Sequence, residues 1–161
     1  MMDAFATEVG GEVFFQSNGF LALAAVTGGE IQGGVTRPDD RKPVFIGKLG
    51  YDKQLSDDLR LRLTGSIYTT SSSARNTLWA GDRAGSRYYL VMENTLASTS
   101  ANFTSGRIST GQTNNVTAMV LNPFIKFKGL EFFGNIEQSK GRAANETVDR
   151  TWNQLGLDLV Y

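Results

Sequence analysis

Between Leu59 and Thr69 the chain alternates strictly. Leu59, Leu61, Leu63, Gly65 and Ile67 interleave with Arg60, Arg62, Thr64, Ser66 and Tyr68, the period-two pattern of a strand with one apolar and one polar face. Val44–Leu55 answers it, with Phe45, Leu49, Tyr51 and Leu55 set against Lys48, Asp52 and Gln54. Placing Leu55 opposite Leu59 puts Tyr51 opposite Leu63 and Asp52 opposite Arg62, so one register sorts both strands at once. A second hairpin about Lys128-Gly129 pairs Phe127 with Leu130, Ile125 with Phe132 and Leu121 with Ile136. Its other face pairs Lys126 with Glu131, Phe124 with Phe133, Asn122 with Asn135 and Val120 with Glu137. Pro123 falls in the apolar set, where its missing N–H weakens a central ladder and predicts a bulge. Phe5–Phe15, Phe20–Ile31 and Thr151–Tyr161 complete a set of seven strands, with Tyr88–Glu93 a short further candidate.

The connections alternate too. Ser17-Asn18-Gly19, Ser56-Asp57-Asp58 and Lys128-Gly129 are tight turns, whereas Gln32–Lys42, Ser72–Asn114 and Gly141–Arg150 are long and polar. Short turns at one end and long loops at the other are the asymmetry of a transmembrane β-barrel. Each strand also reaches the roughly 9–11 residues that a tilted spanning strand needs. Aromatic residues gather at both ends: Phe14, Phe15, Phe20, Phe127, Phe132 and Tyr161 near the tight turns, and Phe5, Phe45, Tyr68 and Trp152 near the long loops. Two such belts resemble interfacial girdles. The predicted fold is therefore all-β, an antiparallel up-and-down meander forming part of a transmembrane β-barrel, in one partial domain over residues 1–161.

Composition narrows the chemistry. Sixteen basic and sixteen acidic residues give zero formal charge, so no nucleic-acid partner is expected. Cysteine and histidine are both absent, which removes disulfides, the commonest metal ligands and the commonest general base. No nucleophile–base–orienter set is visible, so neither catalysis nor a cofactor is expected. The glycines of residues 28–34 lack the spacing of a phosphate loop. Glu131 and Glu137 lie about 20 Å apart along one strand, too far for a glycosidase pair. Asp82 and Asp39-Asp40 read as turn chemistry rather than as a cation site. No run of 18 apolar residues could form a transmembrane helix, and the first residues do not read as a secretory signal. An odd strand count and a first strand running inward from the loop side predict that at least one N-terminal strand precedes this sequence.

Two stretches carry a resemblance. Asn122-Pro123-Phe124-Ile125-Lys126-Phe127-Lys128-Gly129-Leu130-Glu131-Phe132-Phe133-Gly134, continuing to Gly141-Arg142, and Ala80-Gly81-Asp82-Arg83-Ala84-Gly85-Ser86-Arg87-Tyr88-Tyr89 resemble porin-like outer-membrane β-barrel proteins of the Bacteroidota. The likeness extends loosely from Phe5 to Tyr161. It implies a bacterial outer-membrane location and a passive pore, with no catalytic residues to carry over.

On this reading the partners are the lipid bilayer and small solutes. The pore-lining candidates are Lys48, Asp52, Arg60, Arg62, Lys126, Glu131 and Glu137. Their cations could bias a pore toward anions, or could pair with Asp52, Glu131, Glu8, Glu12 and Glu137 in a balanced wall; the charge count favours weak selectivity. The long Ser72–Asn114 connection carries Arg75, Arg83, Arg87 and Arg107 and the apolar run Tyr88–Met92. A connection this much longer than about 12–15 residues is usually functional or disordered. Arg83, Arg87, Tyr88 and Tyr89 are accordingly the constriction candidates, ordinary solvated loop charge being the plainer reading. Two other functions stand beside the pore: a plugged structural or adhesive barrel, and a soluble lipocalin-like barrel with its apolar face inside, since period two is the same either way.

Overall fold

Turn chemistry sets the hairpins. In the computed structural model, which describes residues 7–31, 41–73, 76–78, 96 and 110–161, Asn18 and Gly19 both take positive φ (45° and 88°). They join β1 (Glu8–Ser17) to β2 (Phe20–Glu30) in a two-residue turn with Ser17 opposite Phe20. Positive φ at both central positions matches the right-handed twist of the flanking strands. Lys128 likewise sits at φ 53° in the turn between β5 (Asn115–Phe127) and β6 (Leu130–Arg142). The third turn differs. Neither Asp57 nor Asp58, between β3 (Val44–Ser56) and β4 (Leu59–Thr70), has positive φ. An unprimed turn would splay the strands, and the mismatch is absorbed next to it. Ser56, not Leu55, pairs with Leu59, and the register shifts between Gln54 and Ser56. The expected Leu55–Leu59 pair is thus replaced by a bulge at Leu55, while Tyr51–Leu63 and Asp52–Arg62 hold.

With β7 (Arg150–Val160) these strands form one antiparallel sheet in the order β1-β2-β3-β4-β5-β6-β7. The sheet is an up-and-down meander and is open, with β1 and β7 as its edges. The β5–β6 register is the expected one from Phe127–Leu130 to Leu121–Ile136. No bulge forms at Pro123. The ladder lapses at Asn122 and Pro123 and then resumes unshifted. Gly134 stands across from the proline, where an added Cβ would lie 2.7 Å from the Pro123 ring. Glycine opposite proline makes room without an extra residue.

Register propagates the alternation across all seven strands. One cross-strand row runs Ala22, Leu49, Gly65, Leu121, Ile136, Leu155, and the next but one runs Phe20, Tyr51, Leu63, Pro123. On this face Val13, Phe15, Leu49, Leu63, Ile125, Leu155, Leu157 and Leu159 are all exposed. The opposite face is sheltered. The buried residues Val44, Val116, Ala118, Glu137 and Ser139 belong to it, and of the described residues only Val44, Val116 and Ala118 form a buried apolar core. The packing is inverted relative to a water-soluble sheet: the apolar side is open, and the polar side is covered toward the long loops.

The sheet also curls toward its polar face. Tyr68 on β4 and Glu8 on β1 are three strand spacings apart, about 14 Å in a flat sheet whose side chains stand perpendicular to it. Yet the Tyr68 hydroxyl donates to Glu8 Oε1 at 2.7 Å. The polar face is therefore concave.

Of the aromatic belts, one is kept. Phe15, Phe20, Phe127 and Phe132 share the apolar face at the tight-turn end, with the Tyr161 ring beside Gly129 of the turn and the Phe20 and Tyr51 rings 4.9 Å apart. Phe14, Tyr68 and Trp152 alternate onto the polar face instead. Among the described residues the long-loop belt is left with Phe45, and Phe5 lies outside them.

Candidate functional site: the sheltered polar face

All seven pore-lining candidates share the concave face. Lys48 and Glu137 stand in one row with Ser66 and Val120 between them. Asp52 and Arg62 stand in a second row with Phe124 and Phe133, and Arg60, Lys126 and Glu131 in a third.

Toward the tight turns the charges pair off. Arg60 grips both Asp52 oxygens, Nε at 2.8 Å and Nη2 at 2.7 Å. Arg62 lies 4.7 Å from the centre of the Phe124 ring, a cation–π contact. Lys126 Nζ donates to Glu131 Oε1 at 2.5 Å. The side chains of both ion pairs are 35–45% exposed, and pairs this wet contribute little to stability. The balanced-wall reading thus has its geometry here.

Toward the long loops the polar face is covered by chain. The outgoing root of the long connection leans from β4 over β3: Thr77 donates its backbone N–H (2.5 Å) and its hydroxyl (2.8 Å) to Glu30 Oε1 at the end of β2. Asn76 Nδ2 donates to the Tyr68 hydroxyl at 2.9 Å, and Asn76 Oδ1 accepts from the Leu78 N–H at 3.0 Å. Thr27 Oγ1 donates to the second oxygen of Glu8. The returning root leans the other way. Gln112 Nε2 donates to the Arg150 carbonyl (2.9 Å), Ser139 Oγ donates to Gln112 Oε1 (2.6 Å), and Arg150 Nη1 donates to the Thr110 carbonyl (3.0 Å). Asn76, Thr77, Thr110 and Gln112 are buried here, as is Ser73, whose carbonyl accepts from Asn114 Nδ2 at 2.6 Å.

Sequence reading missed this second cluster. It links residues up to 60 positions apart, and no local pattern marks them. The constriction candidates Arg83, Arg87, Tyr88 and Tyr89, with the Tyr88–Glu93 strand, lie outside the described residues.

Other surfaces offer less chemistry. A hollow of about 650 Å³ over Ala24 and Gly47, ringed by Val13, Val26, Phe45 and Ile67, lies on the apolar face. Among the described residues no three acidic side chains come together as metal ligands, and no helix is long and apolar enough to cross a membrane. Comparison with family models, with curated proteins and with solved structures gave no match to this chain.

Proposed function

We propose that this sheet is part of the wall of a bacterial outer-membrane β-barrel, with its apolar face toward lipid and its polar face lining a passage for small solutes. The observation that carries the reading is the inverted packing. Monomeric soluble proteins rarely expose contiguous apolar patches beyond a few hundred Å², whereas here apolar side chains on all seven strands stand exposed on one face. On β4 the apolar row, half-buried at Leu59 and Leu61 and exposed at Leu63 and Ile67, runs eight residues or about 27 Å of strand, comparable with the roughly 25 Å apolar band of such barrels. The concave side carries the ions. A lipocalin-like barrel would need the reverse curl, with the leucines inside, and the Tyr68–Glu8 contact speaks against it.

Among the described residues nothing pairs with the outer edges of β1 and β7, and each unpaired backbone group costs several kcal/mol in hydrocarbon. On this reading further strands pair with β1 and β7 in the membrane. The test is reconstitution of the full-length protein in planar bilayers with single-channel recording. Stepwise conductance with weak ion preference is expected. A protein that inserts as heat-modifiable barrel and conducts nothing would instead favour the plugged structural or adhesive reading.

A further inference from the structure

Among the described residues, backbone contacts join only sequence-adjacent strands. Against that background Tyr68 is unusual: its hydroxyl bridges β4 to β1 across two intervening strands, donating to Glu8 while accepting from Asn76 of the loop root. Glu8 is held in turn by Thr27, and the same root is tied to β2 through Thr77 and Glu30. The chain Thr27–Glu8–Tyr68–Asn76 therefore runs along the concave face like a chord across an arc. Shortening a chord tightens the arc, and removing it lets the sheet relax toward the ordinary twist its backbone ladder allows.

We propose that this chain is a latch that sets the curvature of the wall at its long-loop end, with Tyr68 the positioning residue that fixes the bore, and hence the size of solute admitted. The proposal rests on the pore reading. It places the size-determining residues at Glu8, Tyr68 and Asn76 rather than among the ion pairs near the tight turns. A bond between rigid strands three apart controls width directly, whereas Asp52–Arg60 and Lys126–Glu131 each link neighbouring strands whose spacing the ladder already fixes.

The test uses two readouts in the full-length protein. Tyr68→Phe keeps the ring and removes both hydrogen bonds. Glu8→Gln removes the charge but keeps an acceptor for the tyrosine, and Glu8→Ala removes the acceptor. The chain has no cysteine of its own, so spin labels on Glu12→Cys in β1 and Ser66→Cys in β4 report the width across the arc. Tyr68→Phe and Glu8→Ala should lengthen the label distance, raise single-channel conductance and admit larger polyethylene glycols. Glu8→Gln should leave distance and size limit near those of the parent. Where Tyr68→Phe does not fold, Glu8→Ala against Glu8→Gln carries the comparison. A conducting protein whose label distance and size limit are the same in parent, Tyr68→Phe and Glu8→Ala overturns the latch and leaves the pore standing. A parent that does not conduct overturns the pore reading and the bore claim with it.

Discussion

The two ends of the concave face use polar residues in opposite ways. Near the tight turns, Asp52–Arg60 and Lys126–Glu131 are wet, half-exposed ion pairs between adjacent strands. Near the long loops, Glu30, Thr77, Gln112 and Ser139 are nearly dry and bind backbone as much as side chains. A solvated pair exchanges water for a partner at little net gain. A buried donor without its acceptor incurs the whole of its desolvation cost. The ion pairs near the tight turns, conspicuous in sequence, are therefore energetically quiet, and the buried hydrogen bonds about Glu30, Thr77, Gln112 and Ser139 hold the loop roots to the sheet.

The largest effect is expected at Glu30. Replacing it with alanine strands the Thr77 backbone N–H and hydroxyl in a buried site, at a cost of about 2–4 kcal/mol. Denaturant unfolding should show the full loss for Glu30→Ala and much less for Glu30→Gln, which retains an acceptor. Equal behaviour of the two variants would mean that the hydrogen bonds to Thr77 do not matter.

Gln112 comes next. Its side chain satisfies the Ser139 hydroxyl and the Arg150 carbonyl at once. Gln112→Ala should cost about 1–3 kcal/mol, and adding Ser139→Ala should recover part of it, because the orphaned hydroxyl is then gone. Strict additivity of the two losses in denaturant unfolding would refute the coupling.

Much of the fold was legible because alternation and turn residues are local signals. Seven strands, the meander order and the β5–β6 register follow from them. The Leu55 slip was not legible, since nothing in Asp57-Asp58 announces its φ values. The accommodation of Pro123 could have been read: the predicted register itself places Gly134 across from it. The faces of Phe14, Tyr68 and Trp152 are legible in the alternation too, which sets each of them on the side opposite the apolar row. On the site, the ion pairs were within reach because cross-strand neighbours follow from register. Glu30–Thr77 and Glu8–Tyr68 were not, because they depend on curl and on the path of the loop roots, which no spacing encodes.

A smaller effect is expected within the tight-turn end. Lys128 holds a left-handed backbone conformation at φ 53°, which penalises any residue with a Cβ by roughly 1–2 kcal/mol. Glycine removes that penalty but adds flexibility to the unfolded chain. Lys128→Gly should therefore stabilise by up to about 1 kcal/mol. A raised denaturation midpoint with unchanged slope is the expected result, and a lowered one would show that the Lys128 contact with the Phe127 ring, 5.5 Å from its centroid, outweighs backbone strain.

The smallest effect is the sharpest test of the contrast between the ends. Lys126 and Glu131 face each other directly across β5 and β6, with side chains 45% and 37% exposed. A double-mutant cycle with Lys126→Ala and Glu131→Ala should give a coupling of about 0.2–1 kcal/mol. Because the pair is wet, mobile ions compete for both partners. Raising the salt to about 1 M shortens the screening length to about 3 Å, close to the contact distance itself, so the coupling should largely vanish. The corresponding cycle between Gln112 and Ser139 joins neutral, buried groups and should not respond to salt. If the Lys126–Glu131 coupling instead proves larger and salt-resistant, water does not reach the tight-turn end in the assembled protein. On the proposed pore reading, the wall there would then be sealed and the passage would have to lie elsewhere.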